Sequence, residues 1–117
     1  MGHRIAFYQT EDGRCPVEEF LDSLPSKDAQ KVAWVLRLIE DLDRTPAQYL
    51  KKLGGAEEIW ECRVRLGSNT YRVFAFFDYA GTLILTHGYS KKSSKTDHRQ
   101  IRQAEAYRRD HLERKEN

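Results

Sequence analysis

The sequence is poor in the residues that staple a fold or hold a metal. Among its 117 residues only Cys15 and Cys62 are cysteines, and two such distant positions make neither a disulfide framework nor a ligand pair. The histidines His3, His87, His98 and His111 are scattered, whereas a structural zinc needs about four clustered ligands. The expectation is no metal and no cofactor. Long apolar runs are missing too: nothing approaches the roughly 20 residues that cross a bilayer, and no secretory leader is read. The chain is therefore expected to be cytoplasmic, with free thiols. Repeats and low-complexity segments are also lacking, which excludes solenoid and linker-like readings.

What is present fits one compact domain over 1–117. A hydrophobic content of 39% in a chain of this length can bury a core unaided. Charge is unevenly placed. Residues 1–61 hold 8 Lys/Arg against 12 Asp/Glu, and residues 62–117 hold 12 against 6. An acidic first half and a basic second half fit a basic binding surface, although an ordinary solvated face gives similar arithmetic.

Periodicity supplies the elements. A short strand is expected at 4–8, ended by the polar run Thr10 to Arg14. Pro16 suits a helix start, and Val17, Phe20, Leu21 and Leu24 recur at helical spacing until Pro25 stops them. Ser26 is the expected N-cap of a longer helix whose stripe is Val32, Val35, Leu36, Ile39 and Leu42. Trp34 and Leu38 lie off the centre of that stripe and are read as widening the core face, with an exposed patch as the alternative. From Glu58 the period becomes two. Trp60, Cys62, Val64 and Leu66 share one face and Glu61, Arg63 and Arg65 the other. The run 71–79, apolar on both faces except Arg72, is expected to be a central antiparallel strand, with hairpin turns at 67–69 and 80–81. Asp97 with Gln100 makes a capping box for a last helix with a narrow stripe of Ile101, Ala104, Tyr107 and Leu112, frayed over 113–117. The expected fold class is α+β, in the order β-α-α-β-β-β-α, with helices packed on one face of an antiparallel sheet and the other face open.

Chemistry concentrates where the apolar strand 82–86 runs into His87, Gly88, Tyr89, Ser90, Lys91, Lys92, Ser93, Ser94 and Lys95. Cations beside an aromatic ring suit a polyanion with stackable bases, because phosphate takes positive charge and an unpaired base takes a flat apolar face. Arg63, Arg65 and Arg72 come from adjacent strands and can meet that run on the open face. Two alternatives stand beside this: the lysine run as a solvated loop, and Arg63 and Arg72 as structural partners of Glu61 and Asp78. Lys51 and Lys52, before Gly54 and Gly55 in the loop that precedes the second strand, are candidate contacts to RNA or ribosome backbone, which add salt-dependent affinity without base specificity; the alternative is that they only keep that loop soluble.

Four segments resemble the RelE/ParE superfamily of toxins, closest to its HigB or phage Gp49-like branch: Cys15 to Leu24, Ile59 to Val64, Tyr71 to Phe74, and His87 to Thr96. Their order and spacing span nearly the whole chain. Tyr89 stands where that branch more often has phenylalanine, and Asp97 where it has proline. The resemblance implies a RelE-like fold and the toxin of a type II toxin–antitoxin system: a metal-independent endoribonuclease that cuts mRNA on the translating ribosome. The implied partners are mRNA, the ribosome and a helix-turn-helix, HigA-like antitoxin.

By the same resemblance Arg63 and Arg72 hold the phosphate, Lys91 and Lys92 fill a paired-lysine position, Tyr89 stacks on a base or orients the phosphate, and His98 falls near an acid/base position. Histidine suits proton transfer near neutral pH, and His87 competes for that role. Lys51, Lys52, Arg65, His87 and Lys95 complete the RNA-binding set. The alternative functions are a ParE-like, non-catalytic inhibitor of DNA gyrase and a non-catalytic RNA- or partner-binding module.

Overall fold

Alternating side chains build the sheet, and one inserted residue decides which of them reach the site. The computed structural model describes residues 3–91 and 97–116. In chain order the elements are β1 (Ile5–Phe7), α1 (Pro16–Asp22), α2 (Ser26–Asp41), β2 (Leu50–Lys52), β3 (Trp60–Leu66), β4 (Asn69–Phe77), β5 (Leu83–Lys91) and α3 (His98–Glu116). The sheet order is β1-β5-β4-β3-β2.

The α+β class is as expected, with three corrections of detail. First, the sheet is mixed: β1 runs parallel to β5, with Ile5 opposite Leu83 and Phe7 opposite Leu85. Tight turns impose antiparallel pairing on β3, β4 and β5, but no turn joins β1 to β5, so turn chemistry left that direction open. Second, the lysine pair read as a loop forms the short edge strand β2, antiparallel to β3.

Third, helices cover both faces. Val17 and Phe20 of α1 and Val32, Val35, Leu36 and Ile39 of α2 pack on Cys62, Val64, Tyr71, Val73, Ala75, Leu83 and Leu85. On the opposite face Ala104 and Leu112 of α3, with Ile101 and Tyr107, cover Ile59, Phe74, Phe76 and Ile84. A central strand that is apolar on both sides demands cover on both, and the narrow stripe of α3 supplies it. Each fully buried phenylalanine of β4 contributes about 1.5–3 kcal/mol.

Between Phe74 and Ala75 the pairing of β4 with β5 slips, since Phe74 faces His87 while Ala75 faces Leu85. Thr86 is thus an extra, bulged residue, and its hydroxyl donates to the Phe74 carbonyl at 3.2 Å. A bulge reverses which face later residues take. Leu83 and Leu85 therefore point into the α1–α2 core while His87 and Tyr89 point to the α3 side. Gly88 falls on the α1 side, where a Cβ would lie 2.4 Å from Phe20 Cδ2. The strand continues to Lys91 rather than ending at Thr86.

Local chemistry fixes the last helix. The Asp97 carboxylate accepts the Arg99 backbone N–H at 3.0 Å, which satisfies one orphan donor of the first turn. Gln100 turns to His87 instead of closing the capping box. At the other end the Tyr8 hydroxyl donates to Asp110 Oδ2 at 2.5 Å, and Arg114 bonds both Asp110 and the Gln9 carbonyl. The charged turns read as frayed are helical to Glu116. Cys15 and Cys62 are free and buried, and burial pushes the Cys62 thiol up to about 12. No helix among the described residues is long and apolar enough to cross a membrane.

Candidate functional site

Three strands set the site out in rows. Arg63 lies opposite Arg72 and Arg72 opposite Tyr89, so all three side chains stand side by side on the α3 face. The next row down is Glu61, Phe74 and His87. Lys51 extends that lower row, since it pairs with Glu61 and is exposed at the sheet edge.

Glu61 joins the rows. Its side chain is fully buried, that of Arg72 is 10% exposed and that of Arg63 is 36% exposed. Arg72 Nη1 donates to Glu61 Oε2 at 2.6 Å, while Arg63 donates from Nε at 3.3 Å and Nη2 at 3.2 Å to Oε1. A buried carboxylate is tolerated only when paired and hydrogen-bonded, and here each oxygen takes one arginine. Two guanidinium groups around one carboxylate leave a net positive site. Asp78, the other candidate partner, instead accepts from the Ala80 and Thr82 N–H groups in the β4–β5 turn.

Two neighbouring polar atoms remain open. Neither Arg72 Nε nor the Tyr89 hydroxyl, both buried, donates to an acceptor among the described residues, although the Asp97 backbone lies near enough to act on the Tyr89 oxygen. Buried donors are rarely left in that state. Burial pushes the Tyr89 hydroxyl up, with Arg72 and the Asp97 backbone pulling the other way, so the group stays protonated at neutral pH. Its ring packs against Phe74 at 5.6 Å between centroids.

The histidines separate. His87 is buried, with Nε2 2.8 Å from Gln100 Oε1 and Nδ1 3.2 Å from the Thr86 hydroxyl, and its ring sits between Phe74 and Tyr107. Burial lowers its pKa against the opposing hydrogen bond from Gln100, so it is a neutral ring wedged beneath α3. His98 is exposed at the first position of α3, one residue beyond Asp97, whose backbone and charge reach Tyr89.

The remaining cations are spread more widely. Lys91 ends β5 opposite Thr70, and Lys92 and Lys95 lie outside the described residues. Arg65 is exposed near the end of β3 and lines a cavity on its flank. Lys52 pairs with Glu58 at 3.0 Å on the edge strand. Thus Arg63, Arg72, Tyr89 and the start of α3 come together, while Lys52 does not join them.

The match to known proteins covers this whole arrangement. A model of the phage-derived Gp49-like protein family (DUF891) matches residues 19–109. The chain belongs to the Gp49-like family. This family is the RelE/HigB-like toxin branch, of the toxin–antitoxin toxin kind. The matched segment runs from α1 into α3 and so contains every strand of the Gp49-like site. No curated protein matches the chain at a significant level.

Sequence reasoning raised Glu61 as a local ion-pair partner of the arginines but not as one carboxylate holding both, and it missed Gln100 as the partner of His87. The first was within reach: Glu61 stands two residues before Arg63, which puts both on one strand face. The second was hidden by the bulge. Among the described residues no group of three or more His, Cys, Asp or Glu side chains could hold a metal ion.

Proposed function

We propose that this Gp49-like protein is the toxin of a type II toxin–antitoxin pair and a metal-independent endoribonuclease acting on mRNA. The observation that carries the reading is the row Arg63, Arg72 and Tyr89, in which the paired residues Arg72 and Tyr89 each bury a donor, Nε and the hydroxyl, that meets no acceptor among the described residues. Two buried donors on paired residues, with no acceptor among the described residues, suit an anionic oxygen that arrives with the substrate. The ribosome as the place of action, and a helix-turn-helix antitoxin as the partner, rest on the family.

In the reaction the 2′-oxygen attacks the adjacent phosphorus, the P–O5′ bond breaks, and the products are a 2′,3′-cyclic phosphate and a 5′-hydroxyl. Charge accumulates on the phosphorane oxygens. Arg72, aimed by Glu61, donates to one of them from Nε, and Arg63 supports it from the adjoining strand. Preorganised donors of this kind stabilise the transition state because no reorganisation is needed as charge develops. Tyr89, kept protonated by burial, holds a phosphate oxygen or the leaving oxygen. His98 takes or returns the proton from its exposed place at the start of α3. Lys91, Lys92 and Lys95 add positive charge, and Lys51 and Arg65 guide the backbone.

The test is expression of the chain with and without Arg72→Ala, with transcript ends mapped. The wild-type chain is expected to arrest growth and leave discrete cut ends. Arg72→Ala is expected to lower cleavage by about 10²-fold or more, the usual cost of one transition-state donor. Intact messages in cells arrested by the wild-type chain would overturn the reading. Intact messages with DNA-damage signalling would favour gyrase inhibition.

A further inference from the structure

A second basic feature lies around the edge of the sheet from the arginine row. Between α2 and β3 there is a cavity of about 450 Å³ lined by Lys31, Val35, Gln48, Tyr49, Arg63 and Arg65. Three of these six residues are cations and none is acidic. Lys31 and Arg65 have no carboxylate partner among the described residues, and Lys31 Nζ instead lies 4.2 Å from the centroid of the Trp34 ring. Asp28, one turn back on α2, is buried and engaged by the Tyr71 hydroxyl and by Asn69.

The cavity also has an aromatic wall. Tyr49 is half-buried and meets Trp34 edge to face, at 6.4 Å between centroids and 85° between planes. Trp34 is 47% exposed, so it does not widen the core as its spacing suggested. The Arg63 N–H donates to the Tyr49 carbonyl at 2.9 Å, which ties the aromatic wall to the strand carrying the arginine row. Arg63 therefore belongs to both places, facing Glu61 on one side and the cavity on the other.

We infer that this cavity is a nucleotide subsite for the RNA strand, taking a phosphate between Lys31 and Arg65 and resting a base on Tyr49. Its volume is in the range of small-ligand sites, about 300–1,000 Å³. Unpaired cations beside an aromatic face are the two elements that single-stranded nucleic acid requires. The assignment rests on the RNA-cleaving reading above and extends it. A strand whose scissile phosphate lies at Arg72 passes Arg63 and enters the cavity.

The experiment uses the full chain and a 2′-O-methyl oligoribonucleotide, which lacks the attacking hydroxyl. Tryptophan emission should change on binding, and this signal should be largely lost in Trp34→Phe. Lys31→Ala and Arg65→Ala should each weaken binding by roughly tenfold, as expected for loss of a charge-assisted hydrogen bond. Each should also reduce the slope of log affinity against log salt by about one. Arg37→Ala, an exposed α2 cation on the flank that faces Ile5, Phe7 and Leu21, should change neither. Unaltered affinity and salt slope in both cavity variants would overturn the subsite. So would a mononucleotide binding as tightly as the oligonucleotide, or an acidic peptide displacing neither oligonucleotide nor emission change yet binding through Lys31 and Arg65. The two readings fail separately: if Arg72→Ala abolishes cleavage while the cavity variants bind as wild type, only the subsite falls.

Discussion

At the residue scale the site depends on a side chain that cannot touch phosphate. Glu61 repels an anion, and its place among arginines looks contradictory until its burial is considered. One carboxylate oxygen fixes Arg72 and the other fixes Arg63, so two long side chains lose their freedom before substrate arrives. That is preorganisation, and it leaves Arg72 Nε without an acceptor among the described residues. Glu61→Gln keeps the shape but removes the charge opposite a guanidinium that is nearly buried. Taking one partner from a buried ion pair costs about 3–5 kcal/mol. The midpoint of urea unfolding should fall correspondingly, with cleavage reduced at least as far as in Arg72→Ala. A stability loss under about 1 kcal/mol would show that water, not Glu61, supports Arg72.

At the scale of elements the bulge at Thr86 places Tyr89. Without that extra residue, alternation would carry Tyr89 into the α1–α2 core beside Leu83 and Leu85, and Gly88 would face α3. With it, Gly88 faces Phe20 at a distance that no Cβ can share. Gly88→Ala should destabilise the protein by about 1–3 kcal/mol through overpacking, because α1 or β5 must shift. Thermal unfolding reads this directly, and a melting temperature equal to wild type would mean that Phe20 has room to rotate away. Four of the five strands, both long helices and the arginine-bearing face were legible because period-two and period-3.6 patterns report burial. The bulge was not, because Thr86 reads as an ordinary β-branched strand residue. The second covered face was half legible: the run 71–79 was apolar on both sides, yet the narrow stripe of α3 did not say which face it covers. Trp34 misled for a different reason: its spacing fits a wide core stripe, yet it stands exposed with its ring edge-on to Tyr49, close in space and distant in sequence.

At the scale of the molecule two histidines, buried His87 and half-buried His111, make stability depend on pH. His87 is lowered by burial against Gln100. His111 is lowered by burial and by Lys115 and Arg114, with Asp78 and Asp110 opposing; its ring packs on Phe76 and Tyr8. Both rings are thus neutral in the fold at pH values where the unfolded chain, near about 6.5 for histidine, already takes up protons. The unfolded state then binds more protons, so stability rises with pH through this window and falls on acidification below about 6.5. The carboxylates held down by partners, Glu57, Asp97 and Asp110, act in the same direction only further down, from about 4.5 and below. The melting temperature should therefore drop in two stages, the first between about pH 7 and 5 from the histidines. His87→Gln removes one titrating ring beneath α3. It lowers stability at every pH through lost packing, but its melting temperature should change less between pH 7 and 5 than that of the wild type. The slope separates titration from packing: if the variant and the wild type fall in parallel, His87 is not a source of the acid sensitivity, and His111 with the surface charges must carry it.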